Sequence, residues 1–214
     1  MDDLLLVAAS GLAREALAVV RALGQHRVVG VLDDDTRRHG ARLDGVPVLG
    51  GLDQARRHPE AQLLLCAGSG ASRSSLAARL SVEVERYATA VAGTADLAVG
   101  TDVGHGTIIL GGVIATASVR VGAHVVLMPN VVLTHDVVVA DFATLAAGVT
   151  LGGHVQVGEA AYLGMAASVR QHVRVGPGAT LGMGAVLLED LPAHQTWAGV
   201  PARSLPCTPT EATA

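Results

Sequence analysis

The sequence predicts a small α/β unit followed by a parallel β-helix. Three observations predict it. A six-residue register of Val and Leu runs through the second half. The chain is apolar but almost free of aromatic side chains. Short apolar runs alternate with helical segments in the first 86 residues.

Read every sixth residue from Val121, the chain gives Val121, Leu127, Leu133, Val139, Leu145, Leu151, Val157, Leu163, Val169, Val175, Leu181 and Leu187. Backwards, Ala115, Ile109, Val103, Leu97 and Val91 continue the register. Two residues before each anchor the side chain is small or β-branched, as at Val119, Val125, Ala143 and Ala161. A period of six fits neither a helix nor an alternating strand. It fits a short strand and a turn, three of which close a triangular coil with anchors stacked inward. Gly often follows the anchor (Gly122, Gly152, Gly158, Gly164, Gly176, Gly182) and is expected to take turn positions with unusual backbone angles. Residues 18 apart stack, so Asp136, His154 and His172 are expected to share one edge.

Composition agrees. Half of the 214 residues are hydrophobic, yet only Phe142, Tyr87, Tyr162 and Trp197 are aromatic. An ordinary core uses more. With 26 Gly, the chain favours many small, similar layers. Net charge is −4 with no Lys-rich run, which argues against nucleic-acid and anionic-membrane partners. Two uncharged stretches, 103–119 and 142–158, approach membrane-span length, but Gly and His interrupt both, and the repeat explains them. Asp2 and Asp3 stand where a signal peptide needs positive charge. Cys66 and Cys207 give no disulfide framework and no metal spacing, so a cytoplasmic location is expected.

In the first half, apolar runs at Leu4–Ala8, Arg27–Leu32, Gly45–Leu49 and Leu63–Ala67 read as strands. Leu12–Leu23 and Ser72–Leu80 read as helices, and Leu52–Arg57 as a helical turn. This alternation implies a Rossmann-like parallel unit with a binding crevice at the strand ends. Ala8-Ala9-Ser10-Gly11-Leu12-Ala13 is not the three-glycine dinucleotide fingerprint, but such a turn can receive phosphate on free backbone N–H groups. Asp33 to Asp35 could accept hydrogen bonds from sugar hydroxyls, or form a solvated turn.

Several motifs together carry a resemblance. They are Ala9-Ser10-Gly11 with Arg14-Glu15, Val31-Leu32-Asp33-Asp34, Gly45-Val46-Pro47-Val48-Leu49-Gly50, the hexapeptides, Thr134-His135-Asp136, and Gly199-Val200-Pro201-Ala202-Arg203. In order and spacing the chain resembles the two-domain sugar O-acyltransferases of the sialic acid type, which include N-acetyltransferases of UDP-4-amino sugars. The resemblance implies a left-handed β-helix, acetyl-CoA as co-substrate, no metal, and a homotrimer with CoA in clefts between subunits. It divides the chain into a sugar or sugar-nucleotide-binding domain (1–86), the acyltransferase β-helix (87–190) and a tail closing over the CoA site (191–214). It assigns the acceptor to Ser10, Gly11, Leu12, Asp33 and Asp34, and the donor to Thr144, Gly164, Met165, Gly182, Met183, Pro201 and Ala202.

The chemistry then falls to His135. An amine or hydroxyl attacking a thioester must lose a proton, and a general base that titrates near neutrality suits the task. By the resemblance, Asp136 orients His135. His26, His39, His58 and His194 read as surface residues; His105, His124, His154 and His172 read as turn or subunit contacts. The family's second His, nine residues after the base, is Thr144 here, the Asn seven before it is Met128, and the His after Ser-Gly is Leu12. The activity implied is acetyl transfer to the amine or hydroxyl of a sugar or nucleotide sugar. A non-catalytic trimeric sugar-nucleotide-binding protein and a γ-carbonic-anhydrase-like metalloenzyme are the alternatives.

Overall fold

A computed structural model describes residues 1–206, so Cys207 lies outside the described residues. The first unit contains β1 (Asp2–Val7), α1 (Gly11–Leu23), β2 (His26–Leu32), β3 (Arg42–Leu43), β4 (Val46–Gly50), β5 (Gln62–Leu65) and α2 (Gly70–Leu80). The sheet order is β3-β4-β2-β1-β5, parallel except for the β3–β4 pair. β1 is an interior strand, between β2 and β5, and is covered on both faces, which is why Leu4, Leu5 and Leu6 run consecutively and are all fully buried. α1 starts on Ser10, whose Oγ accepts from the Ala13 N–H at 3.1 Å, and ends on Gly24 in the left-handed region (φ 64°). Its buried stripe is Leu12, Ala13, Ala16, Leu17 and Val20. Leu52–Arg57 is a 3₁₀ helix. β3 was not foreseen: Asp44 and Gly45 (φ 45° and 89°) turn the chain into a two-residue hairpin.

From Ala90 the chain becomes a left-handed parallel β-helix of two-residue strands on three faces. Face one carries Ala90–Val91, Ile108–Ile109, Val126–Leu127, Thr144–Leu145, Tyr162–Leu163 and Thr180–Leu181. Face two runs from Asp96–Leu97 to Val186–Leu187, and face three from Asp102–Val103 to Arg174–Val175. Pairing is at 18 residues throughout, as in Leu133↔Leu151↔Val169↔Leu187. The anchors and the residues two before them form one continuous core.

The glycine assignment needs correction. The left-handed position is three residues after the anchor, not one. It recurs every sixth residue from Gly100 to Gly184 and is held by Asn130, Asp136, Phe142 and several His as well as by Gly. Glycine after the anchor has another cause, the closeness of the next coil. A Cβ at Gly152 would lie 2.6 Å from the Gln171 nitrogen, and one at Gly158 would lie 2.5 Å from the Pro177 nitrogen.

Two features fix the ends. The first unit sits on face one, where Ala90, Ile108 and Val126 join the core of α1. There Arg73 of α2, fully buried, donates to the carbonyl oxygens of His124 (2.9 Å), Phe142 (2.7 Å) and Ala143 (3.1 Å), and also to those of Ala67 and Gly68 in its own unit. At the other end Thr196–Ala198 pairs with Thr180–Leu181 and folds back on Arg203–Ser204.

Candidate active site

His135 and Asp136 occupy the corner between faces two and three. Leu133 is the inward anchor, so the chain turns outward at Thr134 and His135. Asp136 takes the left-handed position (φ 59°), which a short polar side chain tolerates. His135 Nδ1 lies 2.9 Å from Asp136 Oδ2. One coil on, His154 Nε2 approaches the same oxygen at 3.6 Å, and its ring meets His135 edge-on at 5.1 Å. A further coil on, His172 stacks on His154 with ring centres 4.8 Å apart. The column expected from the 18-residue spacing is therefore present. Thr134, His135, Gly152, Gly153, His154, Gln171 and His172 line an open groove of about 430 Å³.

The hydrogen bond with His135 holds the Asp136 carboxyl below the usual carboxylate range, with a further contribution from His154. Asp136 therefore stays ionised through the neutral range and fixes the His135 ring through Nδ1. With Nδ1 donating to that carboxylate, Nε2 is the ring nitrogen that keeps a free lone pair. His135, Asp136 and His154 form one group whose nitrogen and oxygen atoms lie within 4.8 Å of one another, close enough for a metal ion. In the observed arrangement, however, the His135 nitrogen nearest Asp136 is committed to a hydrogen bond.

Of the residues expected at the acceptor site, Ser10 and Asp33 meet at the β1–α1 turn, and the polar groups of Ser10, Asp33 and Asp34 are largely taken up by neighbouring residues. Ser10 Oγ donates to the Cys66 carbonyl oxygen at 2.6 Å. Asp33 accepts from the Ala9 N–H (2.7 Å) and the Asp35 N–H (2.8 Å), and Arg38 donates to the Ala9 carbonyl oxygen beside it. Asp34 accepts from the Leu52 N–H and pairs with Arg79 at 2.6 Å. The side chain of Leu12 is buried. These aspartates shape the turn. What faces outward is Gly11, at the start of the helix.

The expected donor residues separate into three places. Met165 and Met183 are exposed at the corner between faces one and two, a different corner from that of His135. Gly164 and Gly182 are packing glycines of the kind described above. Thr144 is buried: its hydroxyl accepts from Arg73 (3.0 Å) and donates to the Gly68 carbonyl oxygen (3.2 Å). It therefore offers no free hydroxyl in the single chain, because the first unit covers face one at that strand. Pro201 is exposed, but Ala202 is 1 % exposed and belongs to the β-helix core, where the tail closes the end of the coil.

His124 stands at a turn, as expected, but its surroundings are not those of a surface turn. It is buried, stacked on Phe142 with ring centres 5.0 Å apart, and its Nδ1 has no hydrogen-bond partner among the described residues. Burial, with the nearby His105 and Arg73, lowers its pKa to about 4. The reading of the sequence missed Arg73, which looks like an exposed helix arginine, and Gly153, whose only signal is the Gly152-Gly153 doublet.

Residues 3–80 match the PglD N-terminal domain, and residues 118–153 match the bacterial transferase hexapeptide (six repeats). The chain thus combines a PglD-type first domain with a second domain of bacterial-transferase hexapeptides. No functionally curated protein matches it at significant similarity. Among solved structures, the transferase resembles the acetyltransferase domain of PglB from Neisseria gonorrhoeae FA1090, with 25% identity, TM-score 0.87, and coverage of 96% of this chain and 100% of that one. That domain has also been solved in complex with acetyl coenzyme A. PerB from Caulobacter crescentus, in complex with CoA and GDP-perosamine, shares 26% identity at TM-score 0.87, covering 96% and 98%. WeeI from Acinetobacter baumannii AYE shares the fold, with 24% identity, TM-score 0.84 and coverage of 96% and 100%. Among the described residues no helix is long and apolar enough to cross a membrane.

Proposed function

We propose that this acyl-CoA-dependent acetyltransferase moves the acetyl group of acetyl-CoA onto the amine of a nucleotide-linked amino sugar. The observation that carries the reading is the His135–Asp136 pair at the edge of an open groove. It occurs in a chain similar over nearly its whole length to PerB, which was solved with CoA and GDP-perosamine. The amine attacks the thioester carbonyl while His135 Nε2 takes its proton. The tetrahedral intermediate collapses and expels the CoA thiolate, a good leaving group that needs no acyl-enzyme. Backbone N–H groups of the corner turns are suited to hold the oxyanion.

Acceptor binding falls to the β1–α1 turn, where the first-turn N–H groups at Gly11 and Leu12 suit a phosphate. The separation of His135 from Met165 and Met183 on different corners favours a site completed by a second copy of the chain, as in a homotrimer. The test is release of CoA thiol from acetyl-CoA with UDP- and GDP-linked 4-amino sugars. His135→Ala is expected to lower kcat/KM by about 10²–10⁴-fold. An unchanged rate would remove His135 as the base.

A further inference from the structure

We infer that Gly153 is a positioning residue for the transfer step: its missing side chain is the space in which the His135 imidazole lies. This rests on the reading of His135 as the base. A Cβ built on Gly153 would lie 3.0 Å from His135 Nδ1 and closer still to Cε1 and Nε2, with no other group among its three nearest neighbours. The ring is bounded on its other sides by Asp136, which holds Nδ1, and by the edge of His154. With a methyl group in that space, the ring must swing off Asp136 or tilt into the groove.

The backbone does not ask for glycine at this position. Gly153 is not among the residues of positive φ, whereas Gly106 and Gly178, which also lie under histidine rings, are. The same register, two residues past the anchor, carries a side chain in most other turns: Ala117, Ala123, Pro129, Asp141, Ala147, Glu159, Met165, Gln171, Pro177 and Met183 are all accommodated. At Gly93 in the same register an added Cβ meets nothing within 4 Å. The fold tolerates a side chain here, and the His135 ring does not. Glycine at 153 is therefore explained by the placement of the base and not by the coil.

The test compares Gly153→Ala with Gly93→Ala, His135→Ala and the His135→Ala/Gly153→Ala double variant. The assay is CoA-thiol release with acetyl-CoA and a UDP- or GDP-linked 4-amino sugar. Melting temperature is measured in parallel, and the Gly153→Ala protein is crystallised. Gly153→Ala is expected to lose about 10²-fold in kcat, the size of effect of a misplacement near 1 Å, with KM for acetyl-CoA little changed. Its melting temperature should match that of the parent, Gly93→Ala should retain full rate, and the crystal structure should show His135 Nδ1 out of hydrogen-bond range of Asp136. In the His135→Ala background the second substitution should cost nothing further. Three results would overturn the inference: a parental rate for Gly153→Ala, an equal loss on top of His135→Ala, or an undisplaced ring. If His135→Ala itself kept full rate, the base assignment would fall and this inference with it. A dead His135→Ala beside a fully active Gly153→Ala would remove the inference alone.

Discussion

Acid is expected to weaken this fold through His124. The residue is 3 % exposed, and its ring lies flat on Phe142 and packs at right angles to Tyr87 and His105, with centres 4.5 and 5.1 Å apart. The Arg73 guanidinium binds its backbone carbonyl. Among the described residues no acceptor reaches Nδ1, and only Asp141 favours the charged form. Its pKa is thus about 4 in the folded chain against 6.5 unperturbed, so between these values the unfolded chain binds the extra proton. Stability from this group is complete above about pH 6.5, falls as pH drops towards 4, and is constant below that. A gap of about 2.5 pH units at about 1.4 kcal/mol each corresponds to about 3 kcal/mol. His124→Phe removes the titration and keeps the shape, since Phe142 already places an aromatic ring at the equivalent position one coil on (φ 59°). Urea unfolding of both proteins at one protein concentration, at pH 7, 6, 5 and 4, measures the difference. The parent is expected to lose about 3 kcal/mol more than the variant between pH 7 and 4. Parallel pH dependences would refute the assignment.

Other substitutions have expected outcomes of their own. Arg73→Ala takes the donor from the carbonyl oxygens of His124, Phe142 and Ala67, and at about 1 kcal/mol or more for each, thermal unfolding should shift by at least about 6 °C. Arg73→Lys should recover little of this, because an ammonium cannot reproduce the fork; recovery of the parental melting temperature would contradict the role. Gly158→Ala brings a methyl group to 2.5 Å from the Pro177 nitrogen and is expected to cost about 1–3 kcal/mol in urea unfolding. A neutral result would show that the coils can separate locally.

The β-helix was legible because its signal is redundant. Each anchor repeats the same requirement, so the weak Ala115 could not disturb the register, and the 18-residue spacing placed Asp136, His154 and His172 on one edge. The first unit was legible in its buried strands, but not in β3, where two residues carry no periodicity. What stayed hidden depends on contacts between units. Thr144 and Arg73 look like a surface threonine and a surface arginine until α2 is laid on face one. Asp33 and Asp34 have the right chemistry to bind a sugar, yet most of their capacity serves the turn itself, and no local pattern shows which backbone N–H groups lie within reach. Ala202 lies near the chain end but packs as core, which only the closure of the last coil makes evident.

The left-handed corner that recurs at every sixth residue has a consequence for how this fold can vary in length. Insertion of one hexapeptide between His135 and His154 would keep every later Val and Leu pointing inward. It would also carry everything beyond it round by one face, so that His154 left the corner of Asp136 and another side chain took its place. The interior responds to chain length modulo six and the active corner modulo eighteen. A coil can thus be rephased without being unfolded, and the groove is the first thing that rephasing dismantles.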